Sequence, residues 1–230
     1  NDVRISSGIK MGAFYVRRIR RIFPALLVVL IAAFVGGRLA LLPHEFIELA
    51  KQTAAGAGCL SNFLLWHEAG YFDQSSELKP LMHLWSLGVE EQFYLVWPLV
   101  LCWVARQQRA HAQKIIIGLI MALRIGSVMH VNADPVGAFF SPLSRFWEFL
   151  AGALLVFQSD RLRPIEVERP GNILAWTGFA LILFSVFYIN STKAFPGLWA
   201  VLPVVGTAFL IKAGPRAWLN VRLLADKRIV

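Results

Sequence analysis

The chain has 230 residues, of which 57% are hydrophobic and only 16% are charged, whereas soluble globular domains average about 45–50% apolar and about 25% charged residues. This composition excludes an ordinary soluble domain. The net charge of +9 would suit a nucleic-acid-binding protein, but the basic residues stand between apolar blocks, as they do in the cytoplasmic loops of membrane proteins. We therefore predict an integral membrane protein with the lipid bilayer as partner and no nucleic acid.

Apolar blocks close to the roughly 20 residues that a helix needs to cross a bilayer follow one another along the chain. The first covers residues 22–42, with Pro24 expected in the first helical turn, where a missing N–H is harmless. A shorter segment rich in Ala and Gly, 46–66, precedes a polar loop, 67–80. Five further spans are predicted at residues 81–104, 115–131, 143–158, 172–189 and 198–211.

The basic residues decide whether segment 46–66 crosses the membrane, because Lys and Arg resist translocation. If it does not cross, 17 of the 23 Lys and Arg residues fall on the inner side and three on the outer side, and the remaining three lie in or beside spans. A crossing segment would destroy this asymmetry. We therefore predict an all-α, polytopic transmembrane helix bundle with six full spans and one re-entrant or interfacial helix, forming a single membrane-embedded domain over residues 1–230.

Four arginines stand within five residues at the entrance of the first span, namely Arg17, Arg18, Arg20 and Arg21. In a helix, Arg17, Arg18 and Arg21 share one broad face, because residues three and four apart are neighbours. Guanidinium groups bind phosphate through paired donors better than lysine does. The alternative is an anchor that sets the topology and pairs with anionic lipid, and the residues alone favour this anchor.

Two adjacent carboxylates, Glu90 and Glu91, lie about ten residues into the predicted span 81–104. An ionised group there is costly unless it is paired or hydrated, so it is a functional candidate. His83 and Tyr94 are expected on the same side of the helix as Glu90, since they stand seven residues before it and four after it. The alternative is a hydrogen-bond network that only holds the bundle together.

Further polar residues occur in the later spans. Arg145 and Glu148 stand three residues apart at the start of span 143–158, so they are expected to neutralise each other in a local ion pair. Arg124 and His130 are expected to face the bundle as partners for a carboxylate. Neither Cys59 nor Cys102 belongs to a metal-binding pattern, so we predict no metal site and no disulfide framework.

Taken in order, these motifs resemble the acyltransferase 3 family of polytopic membrane acyltransferases, which includes acetylases of lipopolysaccharide O-antigen and other surface glycans. The resemblance covers nearly the whole chain. It rests on Phe14-Tyr15 with the arginine cluster and Pro24, Leu60-Ser61-Asn62-Phe63 with Gly70-Tyr71-Phe72, residues 81–87 running into 89–94, and Arg145-Phe146-Trp147-Glu148 before Gly152.

The resemblance implies a reaction and a set of site residues. An acyl group, expected to be acetyl, moves from acyl-CoA to a hydroxyl of a cell-surface polysaccharide or lipopolysaccharide at the bacterial inner membrane, with no other cofactor bound. Arg18 and Arg21 match an RxxR element that contacts the donor phosphates. The catalytic residues are then Glu90 and His83, and the substrate-binding residues are Arg17, Arg18, Arg21, Tyr94, Arg145 and Glu148.

The family's principal catalytic histidine belongs to an Arg-x10-His pattern in an earlier span, and no histidine of this chain matches it. We therefore expect an internal fragment that is incomplete at both ends and inactive alone.

A secondary transporter or flippase for a surface-glycan precursor is the main rival, because it also places charged residues inside spans. It should show paired halves, and no internal repeat is visible. A purely structural membrane subunit is a second rival, against which the intramembrane carboxylates argue.

Overall fold

The computed structural model describes residues 11–69, 79–159, 168–190 and 193–224. Over these ranges the chain forms α-helices and no strand, which confirms the predicted all-α class. The helices are α1 (Met11–Ala40), α2 (Pro43–Ala57), α3 (Ser61–Glu68), α4 (Leu84–Ala105), α5 (Arg109–Ala133), α6 (Pro135–Phe140), α7 (Phe146–Ser159), α8 (Glu168–Tyr188) and α9 (Val201–Ala213), followed by a π-helical turn (Asn220–Leu224).

Some predictions fall outside the described residues. These are the Gly70-Tyr71-Phe72 motif, most of the predicted loop 67–80, and six of the basic residues assigned to the inner side. The six are Arg4, Lys10, Arg161, Arg163, Lys227 and Arg228.

Four helical segments are long and apolar enough to cross a membrane by length and composition, namely Met11–Ala40, Leu84–Val104, His111–Ala133 and Pro170–Tyr188. Large apolar side chains on them are exposed, among them Leu39 at 85% and Phe187 at 83%, as expected of residues that face lipid. The chain is an integral membrane protein. Two shorter apolar helices, Phe146–Val156 and Val201–Ala213, coincide with the other two predicted spans, so the count of six full spans stays a prediction.

The first helix starts further upstream than predicted. α1 begins at Met11 and carries the arginine cluster and the apolar span on one continuous helix. Pro24 therefore lies inside the helix, and its predicted place in the first turn was wrong. A proline there has no N–H to donate to the carbonyl four residues earlier, which is a common cause of local bending.

Segment 46–66 does not form one continuous helix. α2 has 15 residues and α3 has 8, so neither reaches the roughly 20 residues that a span needs. Between them the backbone turns at Cys59, whose φ of 55° is in the left-handed region that residues other than glycine seldom adopt. This break agrees with the prediction that the segment does not fully cross.

Residue contacts divide the described residues into two compact units, one within 1–112 and 140–142 and the other within 113–139 and 143–230. In the first unit, leucines of α1, of α2, of the start of α4 and of the segment just before α4 form a buried cluster of Leu26, Leu30, Leu49, Leu81 and Leu84.

In the second unit, α8 and α9 pack closely at two glycines. A Cβ added to Gly178 would lie 2.6 Å from the Gly206 carbonyl oxygen, and one added to Gly206 would lie 2.7 Å from the Gly178 carbonyl oxygen. Small residues allow such close backbone approach between membrane helices. Near the start of α8, Asn172 accepts a hydrogen bond of 2.6 Å from the backbone N–H of Trp218, which follows α9.

Candidate functional site

A single arginine of α1 binds both carboxylates of α4. The Arg18 Nη2 donates to Glu90 Oε1 and the Arg18 Nε donates to Glu91 Oε1, each at 2.9 Å. The Arg18 and Glu91 side chains are 16% and 17% exposed, whereas Glu90 is 41% exposed. The cost of placing two carboxylates in a spanning helix is thus offset by one guanidinium. We call these three residues the Arg18 cluster.

Aromatic side chains pack around the Arg18 cluster. The guanidinium carbon of Arg18 lies 3.0 Å from the centre of the Tyr94 ring, where the negative face of the ring attracts the cation. The Phe14 ring, one turn earlier on α1, lies 6.5 Å from that of Tyr94. Beside it, Tyr15 donates a hydrogen bond of 3.0 Å to the Leu95 carbonyl. α1 and α4 are therefore joined by aromatic contacts as well as by charge.

The register of α4 is fixed on its other side by α3 and the turn before it. Gln92 donates hydrogen bonds from Nε2 to the Cys59 carbonyl at 2.9 Å and to Asn62 Oδ1 at 2.8 Å. Asn62 is fully buried and donates to the Phe140 carbonyl at 3.2 Å. A Cβ added to Gly88 would lie 3.0 Å from the Cys59 carbonyl oxygen, so a glycine favours this close approach. These contacts set which side of α4 meets Arg18.

The other predicted residues of the first unit do not join the Arg18 cluster. Arg17 and Arg21 are exposed, as is Arg20, so the arginines predicted to share one face differ in burial. His83 is exposed and precedes the first residue of α4. In the part of the chain that the structure describes, no hydrogen bond or ion pair joins His83 to Glu90. The structure thus brings together Arg18, Glu90 and Tyr94 from the predicted site.

The predicted Arg145–Glu148 pair lies in the second unit. The Arg145 Nη1 and Glu148 Oε2 are 3.9 Å apart, at the outer limit of an ion pair. Arg145 also donates to the Phe139 carbonyl at 3.4 Å, and its guanidinium carbon lies 5.2 Å from the centre of the Phe195 ring. Glu148 borders a mostly apolar cavity of about 240 Å³ between α7 and α9.

Arg124 and His130 were predicted to partner a carboxylate, and this stays a prediction. The Arg124 guanidinium carbon lies 5.1 Å from the centre of the Trp147 ring, and its Nη1 is buried with no hydrogen-bond partner among the described residues. His130 Nδ1 lies 3.2 Å from Ser144 Oγ, a hydroxyl.

Two contacts of this site were not predicted from the sequence. One is the pairing of Arg18 with both carboxylates, and the other is the pairing of Asn62 with Gln92. The pairing of Arg18 with the two carboxylates could have been inferred from the sequence. Two carboxylates in a span require a cation, and a cluster of arginines precedes another span of the same chain. The pairing of Asn62 with Gln92 could not, since neither spacing nor composition links residues 30 apart.

The Cys59 thiol lies within reach of the negative charge of Glu91. Burial raises the pKa of the Cys59 thiol, and the negative charge of Glu91 adds to the effect, so the nucleophilic thiolate is disfavoured. Across the ranges described, no three His, Cys, Asp or Glu side chains are placed to hold a metal ion.

The fold and site define a helical membrane protein in which one arginine of α1 pairs with two glutamates of α4. The family model described as "Acyltransferase domain" matches residues 4–225. The chain therefore belongs to the acyltransferase 3 family, as the resemblance of its motifs predicted.

Relatives of this chain include named O-acetyltransferases. It is 34% identical over 209 residues to an uncharacterized protein of Haemophilus influenzae, covering 86% of this chain and 84% of that protein. It is 28% identical to the peptidoglycan O-acetyltransferase OatA of Listeria monocytogenes, covering 79% of this chain and 31% of the relative. With the O-acetyltransferase OatA of Staphylococcus aureus the identity is 31%, covering 76% and 30%. The chain thus spans somewhat under a third of these two enzymes. No solved structure matches it.

Proposed function

We propose that this chain is part of a membrane O-acyltransferase that moves an acetyl group from acetyl-CoA to a hydroxyl of a cell-surface glycan at the bacterial inner membrane. The observation that carries the proposal is the Arg18 cluster, with its two 2.9 Å ion pairs, in a chain of an acyltransferase family. The acceptor is a surface polysaccharide or lipopolysaccharide in the first form of the proposal. The name of the Listeria monocytogenes relative adds peptidoglycan as a third acceptor to be tested.

The donor is proposed to bind through the arginines at the start of α1. Coenzyme A carries phosphates at one end and the thioester at the other, so a basic surface can hold the donor while the acyl group reaches into the membrane. Guanidinium groups suit this task because they donate paired hydrogen bonds to phosphate. Arg17 and Arg21 are exposed and available for such contacts.

The reaction requires a carboxylate or a histidine close to the reacting hydroxyl. The hydroxyl oxygen attacks the thioester carbonyl carbon, the carbon–sulfur bond breaks, and the hydroxyl proton passes through a general base to the departing thiolate. Glu90 is proposed to contact the reacting groups, because it is the more exposed of the two carboxylates held by Arg18. His83 is proposed as a second catalytic group, and Tyr94, Arg145 and Glu148 as substrate contacts.

Replacing Glu90 tests this proposal in the intact protein. We expect Glu90→Gln to lower transfer of labelled acetyl from acetyl-CoA to isolated surface glycans by about 100-fold or more, because removal of a group that handles protons typically costs 10²–10⁴ in rate. The level of protein in the membrane should stay unchanged. Three acceptors, peptidoglycan, lipopolysaccharide and surface polysaccharide, are assayed in parallel.

The matched control is Glu48→Gln, which removes an exposed carboxylate on α2 that pairs with Lys51, and it should transfer acetyl at the wild-type rate. Wild-type transfer by Glu90→Gln would remove Glu90 from the reaction. A wild-type protein that transfers no acetyl from acetyl-CoA to any of the three acceptors, but moves a glycan precursor across vesicles, would replace the enzyme with the transporter.

A further inference from the structure

The arginines at the start of α1 are of two structural kinds. Arg18 is only 16% exposed, two of its nitrogens donate to carboxylates, and its face is covered by the Tyr94 ring. The neighbouring arginines are exposed, and no ion pair engages them in the ranges described. These neighbours are Arg17, Arg20 and Arg21.

The charges near Arg18 disfavour a phosphate there. One guanidinium and two ionised carboxylates leave the Arg18 cluster with a formal charge of −1, and the carboxylate oxygens lie 2.9 Å from the arginine nitrogens. A phosphate that approached Arg18 would meet both carboxylates at short range, where like charges repel strongly. To bind it, Arg18 would have to give up the contacts that neutralise Glu90 and Glu91.

The same contacts determine how Glu90 is presented. Arg18 holds one oxygen of Glu90 and one oxygen of Glu91 from a single planar group, which fixes both carboxylates in orientation. Glu91 is 17% exposed, but Glu90 is 41% exposed and remains open on one side. Without Arg18, the two adjacent carboxylates would repel each other, and Glu90 would lose its fixed position.

We infer that Arg18 is a positioning residue for Glu90 and Glu91, and that the donor phosphates are bound by its exposed neighbours instead. The inference rests on the proposed function and divides the arginine cluster between two tasks. Arg18 acts on turnover through Glu90. Arg21 and the other exposed arginines act on the affinity for the donor.

The test compares Arg18→Gln with Arg21→Gln in the intact protein, kept in its membrane, with acetyl-CoA as the varied substrate. We expect Arg18→Gln to lower kcat about tenfold or more with KM within about twofold, because it disturbs a group used in the reaction step. We expect Arg21→Gln to raise KM about fivefold or more with a nearly unchanged kcat, because it removes donor binding. Arg38→Gln, an exposed arginine at the far end of the same helix, should change neither constant.

Two further measurements separate positioning from a loss of folding or of donor binding. Coenzyme A and its 3′-dephospho form are titrated without acceptor, and Arg21→Gln should bind coenzyme A more weakly while Arg18→Gln binds it as the wild type does.

Adding Glu91→Gln to Arg18→Gln should restore part of kcat, since it removes the excess negative charge, whereas adding it to Arg21→Gln should not lower KM. Arg18→Lys replaces Arg18→Gln if the latter is lost from the membrane, and the same division between kcat and KM is expected.

Equal increases in KM and equal losses of coenzyme A binding in the Arg18 and Arg21 variants would overturn the inference and leave the proposed function intact. The inference would also be overturned if Arg21→Gln changed neither the KM nor the affinity for coenzyme A. The exposed arginines would then be assigned to binding anionic lipid headgroups instead. Failure of the wild-type protein both to bind coenzyme A and to transfer acetyl would instead overturn the proposed function itself.

Discussion

The Arg18 cluster of the first unit and the Arg145–Glu148 pair of the second unit both join an arginine to glutamate, in the first case to two glutamates and in the second to one, and their geometry differs. In the first, the nitrogen–oxygen distances are 2.9 Å and the partners are 72 and 73 residues apart. In the second, the partners are three residues apart and the distance is 3.9 Å. The pair that is local in sequence is thus the looser one.

This difference shows what each contact requires of the fold. Residues three apart are neighbours on any helical turn, so the Arg145–Glu148 pair needs no tertiary structure. The Arg18 cluster exists only when α1 and α4 lie side by side in one register. The glutamate of the second unit's pair is also less completely hydrogen-bonded, because Glu148 Oε1 is buried without a partner among the described residues.

The largest expected effect on stability comes from removing Arg18. Arg18→Ala leaves two adjacent carboxylates uncompensated in a spanning helix, so we expect the free energy of unfolding to fall by about 2–3 kcal/mol, between the values for exposed and buried ion pairs. Arg145→Ala should cost less, about 1–2 kcal/mol, because its ion pair is longer although it is similarly shielded from solvent. Unfolding midpoints in detergent measure both, with Arg38→Ala as the control. Equal losses for the two variants would remove the distinction between the pairs.

A smaller effect is expected where α3 and α4 approach each other. Gly88→Ala places a methyl group 3.0 Å from the Cys59 carbonyl oxygen and 3.1 Å from Asn62 Oδ1, and such crowding typically costs about 1–3 kcal/mol. The matched change in the second unit is Gly152→Ala, whose methyl group meets nothing within 4 Å. It should raise stability by about 0.5 kcal/mol, because alanine is the better helix former. Unfolding midpoints of both variants are compared, and tolerance of Gly88→Ala would mean that the Cys59 carbonyl and Asn62 shift by a few tenths of an ångström to admit the methyl group.

Helices and membrane embedding could be predicted from the sequence because both depend on composition and on the length of apolar blocks. Helix ends were less predictable. The apolar block begins near Ile22, but a helix continues through polar residues as readily as through apolar ones, so α1 extends back to Met11 and encloses Pro24. The break at Cys59 depends on a single backbone conformation that hydrophobicity does not report.

The members of the site could be predicted, but their contacts could not. Glu90 is identified by the cost of a carboxylate in a span, and Arg18 by its place in a basic cluster. That they meet depends on tertiary packing across 72 residues, which spacing does not encode. His83 directly precedes α4 as its N-cap residue with helical backbone angles, but its side chain is exposed, so spacing along the helix alone did not bring it to the Arg18 cluster.

The smallest expected effect is the coupling energy between Arg145 and Glu148. Measuring it compares the two kinds of ion pair directly. Because the Arg145–Glu148 distance is 3.9 Å, we expect a double-mutant cycle of Arg145→Gln and Glu148→Gln to give a coupling energy of about 0.5 kcal/mol or less. The matching cycle of Arg18→Gln and Glu91→Gln should give about 1–2 kcal/mol, since the 2.9 Å contact is charge-assisted and mostly shielded from solvent. Both cycles use unfolding midpoints of the same protein in the same detergent. A coupling in the second unit as large as in the first would mean that the two glutamates are held equally firmly, and that tightness of pairing does not distinguish Glu90 and Glu91 from Glu148.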